Sequence, residues 1–102
     1  MKLLKIQARR SFGEAQARRR PERLAEKLCH IRHRLKLTQE ELKERLEQLG
    51  FISDLDRADV SDFERGRRDP DLLTLLSYGR LANVYLDVLV DDELDLPEEL
   101  LG

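Results

Sequence analysis

Apolar residues recur along the chain at intervals that change every ten to fifteen positions, and each change predicts an element boundary. Leu24, Leu28, Ile31 and Leu35 are spaced four, three and four apart, which puts them on one face of an amphipathic helix opened by Pro21 in its first turn. Thr38 followed three residues later by Glu41 forms a capping box, and Leu42 and Leu46 stack on the inward face behind it. This second helix is expected to run to Gly50, with Leu49-Gly50-Phe51-Ile52-Ser53 leading into a loop anchored by apolar side chains. Asp56 is suited to cap a third helix with Val60 and Phe63 inward, stopped at Gly66 where a left-handed residue is wanted. Asp69-Pro70-Asp71 breaks the chain and starts a fourth helix whose core is expected from Leu72, Leu73, Leu75, Leu76 and Leu81, with Tyr78 and Gly79 equally suited to core or surface. Val84 and Leu86 lead into a short fifth helix ending near Val90. Residues 1–20 carry little apolar periodicity, and Asp91 to Pro97 alternates acids with leucine.

Composition narrows the class. The 102 residues suffice for one domain with a small core, and that core is aliphatic, because Trp is absent and aromatics make up 5%. A single cysteine leaves no internal disulfide framework and fits a reducing cytoplasm. No apolar run approaches the roughly 20 residues of a membrane span, so no membrane partner is expected. Net charge is −2, unevenly spread. Residues 1–23 hold eight Lys/Arg against two acids, residues 24–90 eleven against thirteen, and residues 91–102 six acids and no base. The organisation read from this is a basic arm over 1–20, a helical domain over 21–92 and an acidic tail over 93–102. The arm either frays in solvent, or follows a phosphate backbone or enters the minor groove. The tail covers the domain's own basic surface, pairs with a second subunit or another protein partner, or stays loose.

Two short capped helices joined by a turn, with Arg67 and Arg68 at the end of the second, form a pattern that sets a helix end into a DNA groove. The particular residues go further. Ile31-Arg32, Leu37-Thr38-Gln39-Glu40-Glu41-Leu42, Ser61-x-x-Glu64-Arg65-Gly66-x-Arg68-x-Pro70, Leu72 to Leu76, and Val84-x-Leu86-Asp87-x-Leu89 together resemble the phage-repressor-like (xenobiotic-response-element, XRE) helix-turn-helix family over about residues 24–92. The resemblance implies an all-α, compact five-helix lambda-repressor-like DNA-binding domain. The chain departs from the family in its extended connection between the second and third helices, with roughly seven extra residues between Leu46 and Val60.

The resemblance also assigns roles. It pairs Arg32 with Glu64 as a structural ion pair and turns Gln39 toward DNA. With the third helix anchored on Val60 to Gly66, its outward positions are Arg57, Ala58, Asp59 and Asp62. Arg57 suits guanine O6 and N7, Ala58 a thymine methyl, and Asp59 and Asp62 the cytosine amino group. Thr38, Ser61, Arg65, Arg67 and Arg68 are expected at phosphates. Asp54, Asp56, Asp59, Asp62 and Glu64 make this helix acidic, which opposes phosphate approach and is only partly answered by the arginines.

The expected function is a sequence-specific transcriptional regulator, a repressor acting by operator occupancy, bound to double-stranded DNA as a homodimer in the cytoplasm of a bacterial or phage-like system. The competing expectation is an antitoxin-like or adaptor module that meets a protein partner through the same fold. No cofactor is expected. Cys29, His30 and His33 supply too few ligands for zinc and are read as structural or surface residues. No nucleophile–base pair or phosphate-binding loop suggests an enzyme.

Overall fold

The computed structural model describes residues 21–100, and the basic arm at 1–20 lies outside the described residues. Five helices follow one another: α1 (Leu24–Arg34), α2 (Gln39–Gln48), α3 (Arg57–Glu64), α4 (Leu72–Ala82) and α5 (Leu86–Val90), with no strand among the described residues. The fold is therefore all-α. α3 packs against α1 and α2, α4 against α2 and α5, and α5 returns to α1. Leu24, Leu28, Ile31, Leu42, Leu46, Val60, Phe63, Tyr78, Ala82 and Leu89 fill the compact interior.

Local chemistry accounts for most boundaries. At α2 the Thr38 hydroxyl accepts from the Glu41 N–H (3.0 Å) while the Glu41 carboxylate accepts from the Thr38 N–H (2.9 Å). Asp56 and Asp59 make the same reciprocal pair at α3. Each box satisfies N–H groups that a helix start otherwise leaves open. α2 ends at Gln48, two residues short of Gly50, which takes a positive φ of 89° just past the C-cap. The connection to α3 is held from both sides: Leu55 is buried, Ile52 packs against the core, and Glu47 accepts a hydrogen bond from the Leu55 N–H (2.9 Å).

α1 does not begin as its sequence suggests. Pro21 precedes the helix, which starts at Leu24, and the Arg23 N-cap makes no side-chain capping bond of its own. The cap comes from far along the chain: the Asp92 carboxylate accepts from the Glu22 and Arg23 N–H groups at 2.9 and 3.0 Å. Those donors hold the Asp92 carboxyl below the usual aspartate range.

α4 also turns differently from expectation. Leu72 is 67% and Leu73 49% exposed, whereas Thr74, Ser77, Tyr78, Gly79 and Ala82 face inward and Leu75, Leu76 and Leu81 are half-buried. Close approach decides this orientation. A Cβ at Gly79 would lie 3.0 Å from the Val84 carbonyl oxygen, so the turn into α5 needs the bare backbone there. The Ser77 hydroxyl donates back to the Leu73 carbonyl (2.9 Å), which makes its burial tolerable.

The acidic tail runs back along α1 and covers the domain's own basic surface. Arg23 donates to the Asp92 carbonyl (2.7 Å) and pairs with Asp95 (2.7 Å), and Arg34 reaches the carbonyls of Pro97 and Glu98. Between them Lys27 is buried, its Nζ donating to the carbonyls of Val88 (2.7 Å) and Asp91 (2.9 Å) at the end of α5. Desolvation lowers the Lys27 pKa, with a further push from Arg23. Leu96 and Leu100 pack against the core from the same side.

Candidate nucleic-acid interface

α3 is fixed at its C-terminal end by a polar hub. Glu64, with a side chain 5% exposed, accepts from Arg32 Nε (2.7 Å) and Nη2 (2.9 Å), and the Arg32 side chain is 15% exposed. The remaining Arg32 nitrogen donates to the Leu37 carbonyl (3.0 Å) in the turn before α2. Gln39, at the start of α2, donates to the same carboxylate (3.3 Å). One acid thus ties α3 to α1 and α2, and the fork geometry of the guanidinium fixes their relative rotation. The bond to Glu64 is the main reason the Arg32 pKa is raised.

Tyr78 is fully buried behind the hub, and its hydroxyl has no hydrogen-bond partner among the described residues. Burial first, and then the negative charge of Glu64, push its pKa strongly upward. Desolvation and Glu64 likewise raise the half-buried Cys29 thiol. Nucleophilic and metal-binding chemistry both need the thiolate, so Cys29 is poorly suited to either. Among the described residues no group of three or more His, Cys, Asp or Glu is arranged to hold a metal.

The outward face of α3 begins with Arg57 and Ala58, both exposed, and continues through half-buried Asp59, Ser61 and Asp62 to exposed Arg65. Its acids are engaged. Asp59 Oδ2 accepts from the Asp56 N–H (3.0 Å) while Oδ1 contacts Arg68 Nη2. Asp62 Oδ1 lies 3.9 Å from Arg67 Nη1, and its Oδ2 lies 3.8 Å from Arg68 Nε. Arg68 also stands over the Phe63 ring at 5.2 Å. The loop after α3 is therefore latched back onto the helix it leaves.

The residues singled out in the sequence fall into three sets. Arg57, Ala58, Ser61 and Arg65 lie together on α3 in no ion pair found among the described residues. Asp59, Asp62, Arg67 and Arg68 are brought together but spend their charge on one another. Thr38 and Gln39 are joined to α3 through α2, with the Thr38 hydroxyl serving the helix cap and the Gln39 amide serving Glu64. Sequence reasoning missed the Arg68 latch, the Gln39–Glu64 bond and the buried Lys27. Only Lys27 left a signal, because it sits three residues after Leu24 and four before Ile31, on the apolar stripe itself.

The tail leaves this face open. At 3.6 residues per turn, residues 23, 27 and 34 share one side of α1 and residues 25 and 32 the other. The tail takes the first side; Glu64 and the Gly66 turn, where an added Cβ would meet Ala25 at 3.7 Å, take the second. A shallow cavity on the second side is lined by Pro21, Glu22, Ala25, Gly66 and Asp69, so the described chain begins beside the loop that follows α3. No helix among the described residues is long and apolar enough to cross a membrane. Comparison with protein-family models, curated proteins and solved structures returns no match.

Proposed function

We propose that this chain is a sequence-specific DNA-binding transcriptional regulator with a lambda-repressor-like, XRE-type helix-turn-helix domain, acting as a cytoplasmic repressor that occupies its operator. The observation that carries the reading is the combination at α3. A largely buried Arg32–Glu64 pair fixes the helix from behind, while Arg57 and Ala58 at its N-terminal end stay exposed in front. A helix that must present side chains to base edges needs that rigidity, because a bidentate contact to guanine tolerates little angular error. In this reading Arg57 and Ala58 meet bases, Ser61 and Arg65 meet phosphates, and Gln39 is set by Glu64 at the edge of the groove. One such helix reads only a few base pairs, so a homodimer on two half-sites about one helical turn apart supplies the remaining discrimination.

The test is selection of bound duplexes from a random-sequence pool, followed by affinity measurements across a salt series. A recurring motif, bound with an affinity that falls steeply with salt, supports the reading. Failure to retain any duplex at low ionic strength refutes it. One feature favours the alternative of a protein-interaction module: Leu72 and Leu73 lie exposed together at the start of α4. Co-purification of a stoichiometric protein partner, displaced by Leu72→Ser/Leu73→Ser and unaffected by DNA, would establish it.

A further inference from the structure

Two of the three arginines expected to grip phosphate, Arg67 and Arg68, are already occupied. Arg68 contacts Asp59 Oδ1, lies 3.8 Å from Asp62 Oδ2 and stands over the Phe63 ring, and Arg67 lies 3.9 Å from Asp62 Oδ1. Both acids project from the outward side of α3 between Ala58 and Arg65. We propose that Asp59 and Asp62 are specificity-determining residues that act by partner exchange. On a duplex, Arg67 and Arg68 leave for phosphates, and the vacated carboxylate oxygens must accept from exocyclic amino groups of the bases, cytosine N4 or adenine N6. The inference rests on the DNA-binding reading above.

The magnitudes make the exchange discriminating. Ion pairs between exposed arginines and half-buried acids are weak, screened by salt and costly in side-chain entropy, so they are easily broken. The same pairs still oppose a sequence-independent phosphate contact, whose whole contribution is of similar size. A noncognate duplex offers the arginines phosphates but offers the carboxylates nothing. It leaves two negative charges facing a negative groove. A cognate duplex supplies donors to both. Asp59 is suited to this because its Oδ2 stays on the Asp56 N–H and keeps the side chain aimed while Oδ1 changes partner. The acidity that opposes DNA binding in the sequence becomes the means of rejecting wrong sequences.

The experiment compares wild type, Asp62→Asn and Asp59→Asn/Asp62→Asn on the selected duplex and on a scrambled one, across a salt series. Charge-matched controls, Glu44→Gln for the single variant and Glu44→Gln/Asp87→Asn for the double, remove as much negative charge from acids with no arginine partner among the described residues. Relative to its control, the double variant is expected to bind scrambled duplex roughly eightfold more tightly per freed arginine in 0.1 M salt, with a salt slope steeper by about 0.9 per arginine. Selected duplex gains less or loses affinity, so the ratio between the two falls. Asp62 carries no helix cap, so Asp62→Asn keeps the test alive if the double variant does not fold. If wild type discriminates between duplexes and both variants match their controls in scrambled-duplex affinity and slope, partner exchange is overturned while the DNA reading stands. If wild type retains no duplex at any ionic strength, the DNA reading fails and this inference fails with it.

Discussion

Removing one half of the Arg32–Glu64 pair should destabilise the fold more than removing both. Arg32→Leu deletes two charge-assisted bonds to Glu64 and the bond to the Leu37 carbonyl, and leaves the carboxylate with the 3.3 Å contact from Gln39 and the neighbouring Cys29 thiol, both weak neutral partners. Because the Glu64 side chain is 5% exposed, water cannot replace what is lost. Breaking a buried pair from one side costs about 3–5 kcal/mol, a large part of a small domain's stability. Glu64→Leu strands a guanidinium that keeps the Leu37 carbonyl and, at 15% exposure, more solvent, so its cost falls at or below the low end of that range. In Arg32→Leu/Glu64→Leu neither charge is stranded, and the double variant should be more stable than Arg32→Leu alone, with a coupling energy of about 2 kcal/mol. Urea unfolding followed by far-ultraviolet circular dichroism, with the slope checked for constancy, measures all four corners of the cycle. Additive single effects, or a double variant less stable than both singles, would refute the claim that this pair is a coupled lock between α1 and α3.

Three further outcomes follow from the fold and one from the interface. Asp92→Ala should cost about 1 kcal/mol by uncapping α1. Because the folded-state pKa of Asp92 is lowered, its stabilisation is complete above the unfolded aspartate value of about 3.9 and is lost as pH falls through the folded value. Wild type should therefore lose more stability than Asp92→Ala between neutral pH and about pH 2, read from urea midpoints at each pH. Leu72→Ala should stay within about 0.5 kcal/mol of wild type, whereas Leu46→Ala costs about 2–5, in the same denaturation assay. Gly66→Ala should cost about 1–2 kcal/mol through its φ of 72°, since the added Cβ meets only Ala25 at an ordinary 3.7 Å. On DNA, Arg57→Ala should relax preference at one base pair by about 1–3 kcal/mol, whereas Arg65→Ala weakens all sequences alike; equal losses on every duplex would remove Arg57 from the readout.

What was legible in the sequence was local. The box at Thr38 joins residues three apart and the cap at Asp56 adjoins its helix, and the stripes of Leu24, Leu28 and Ile31, of Leu42 and Leu46, and of Val60 and Phe63 repeat within single helices. Each such signal is complete within one or two turns. The rotation of α4 was not legible, because leucines at 72, 73, 75, 76 and 81 surround the helix and define no single face. Gly79 and the Val84 carbonyl settle it, through a contact that only the turn into α5 creates. The tail was illegible for a plainer reason: its alternation of acid and leucine is compatible with any surface, and its partners Arg23, Lys27 and Arg34 lie more than sixty positions away. At the interface, the residue types on α3 were readable but their preoccupation was not. Arg68 and Asp59 are nine positions apart across a helix end, where no periodicity links them.

The Asp92 cap has a consequence for how the chain acquires its shape. The carboxylate that accepts from the N–H groups leading into α1 follows Glu22 by seventy residues. During synthesis those two N–H groups therefore lack this acceptor until Asp92 has left the ribosome. A fragment stopped before residue 92 keeps the Val88 and Asp91 carbonyls that hold Lys27 but lacks the Asp92 acceptor, so the start of α1 should be cleaved by proteases faster in it than in a fragment that includes residue 92.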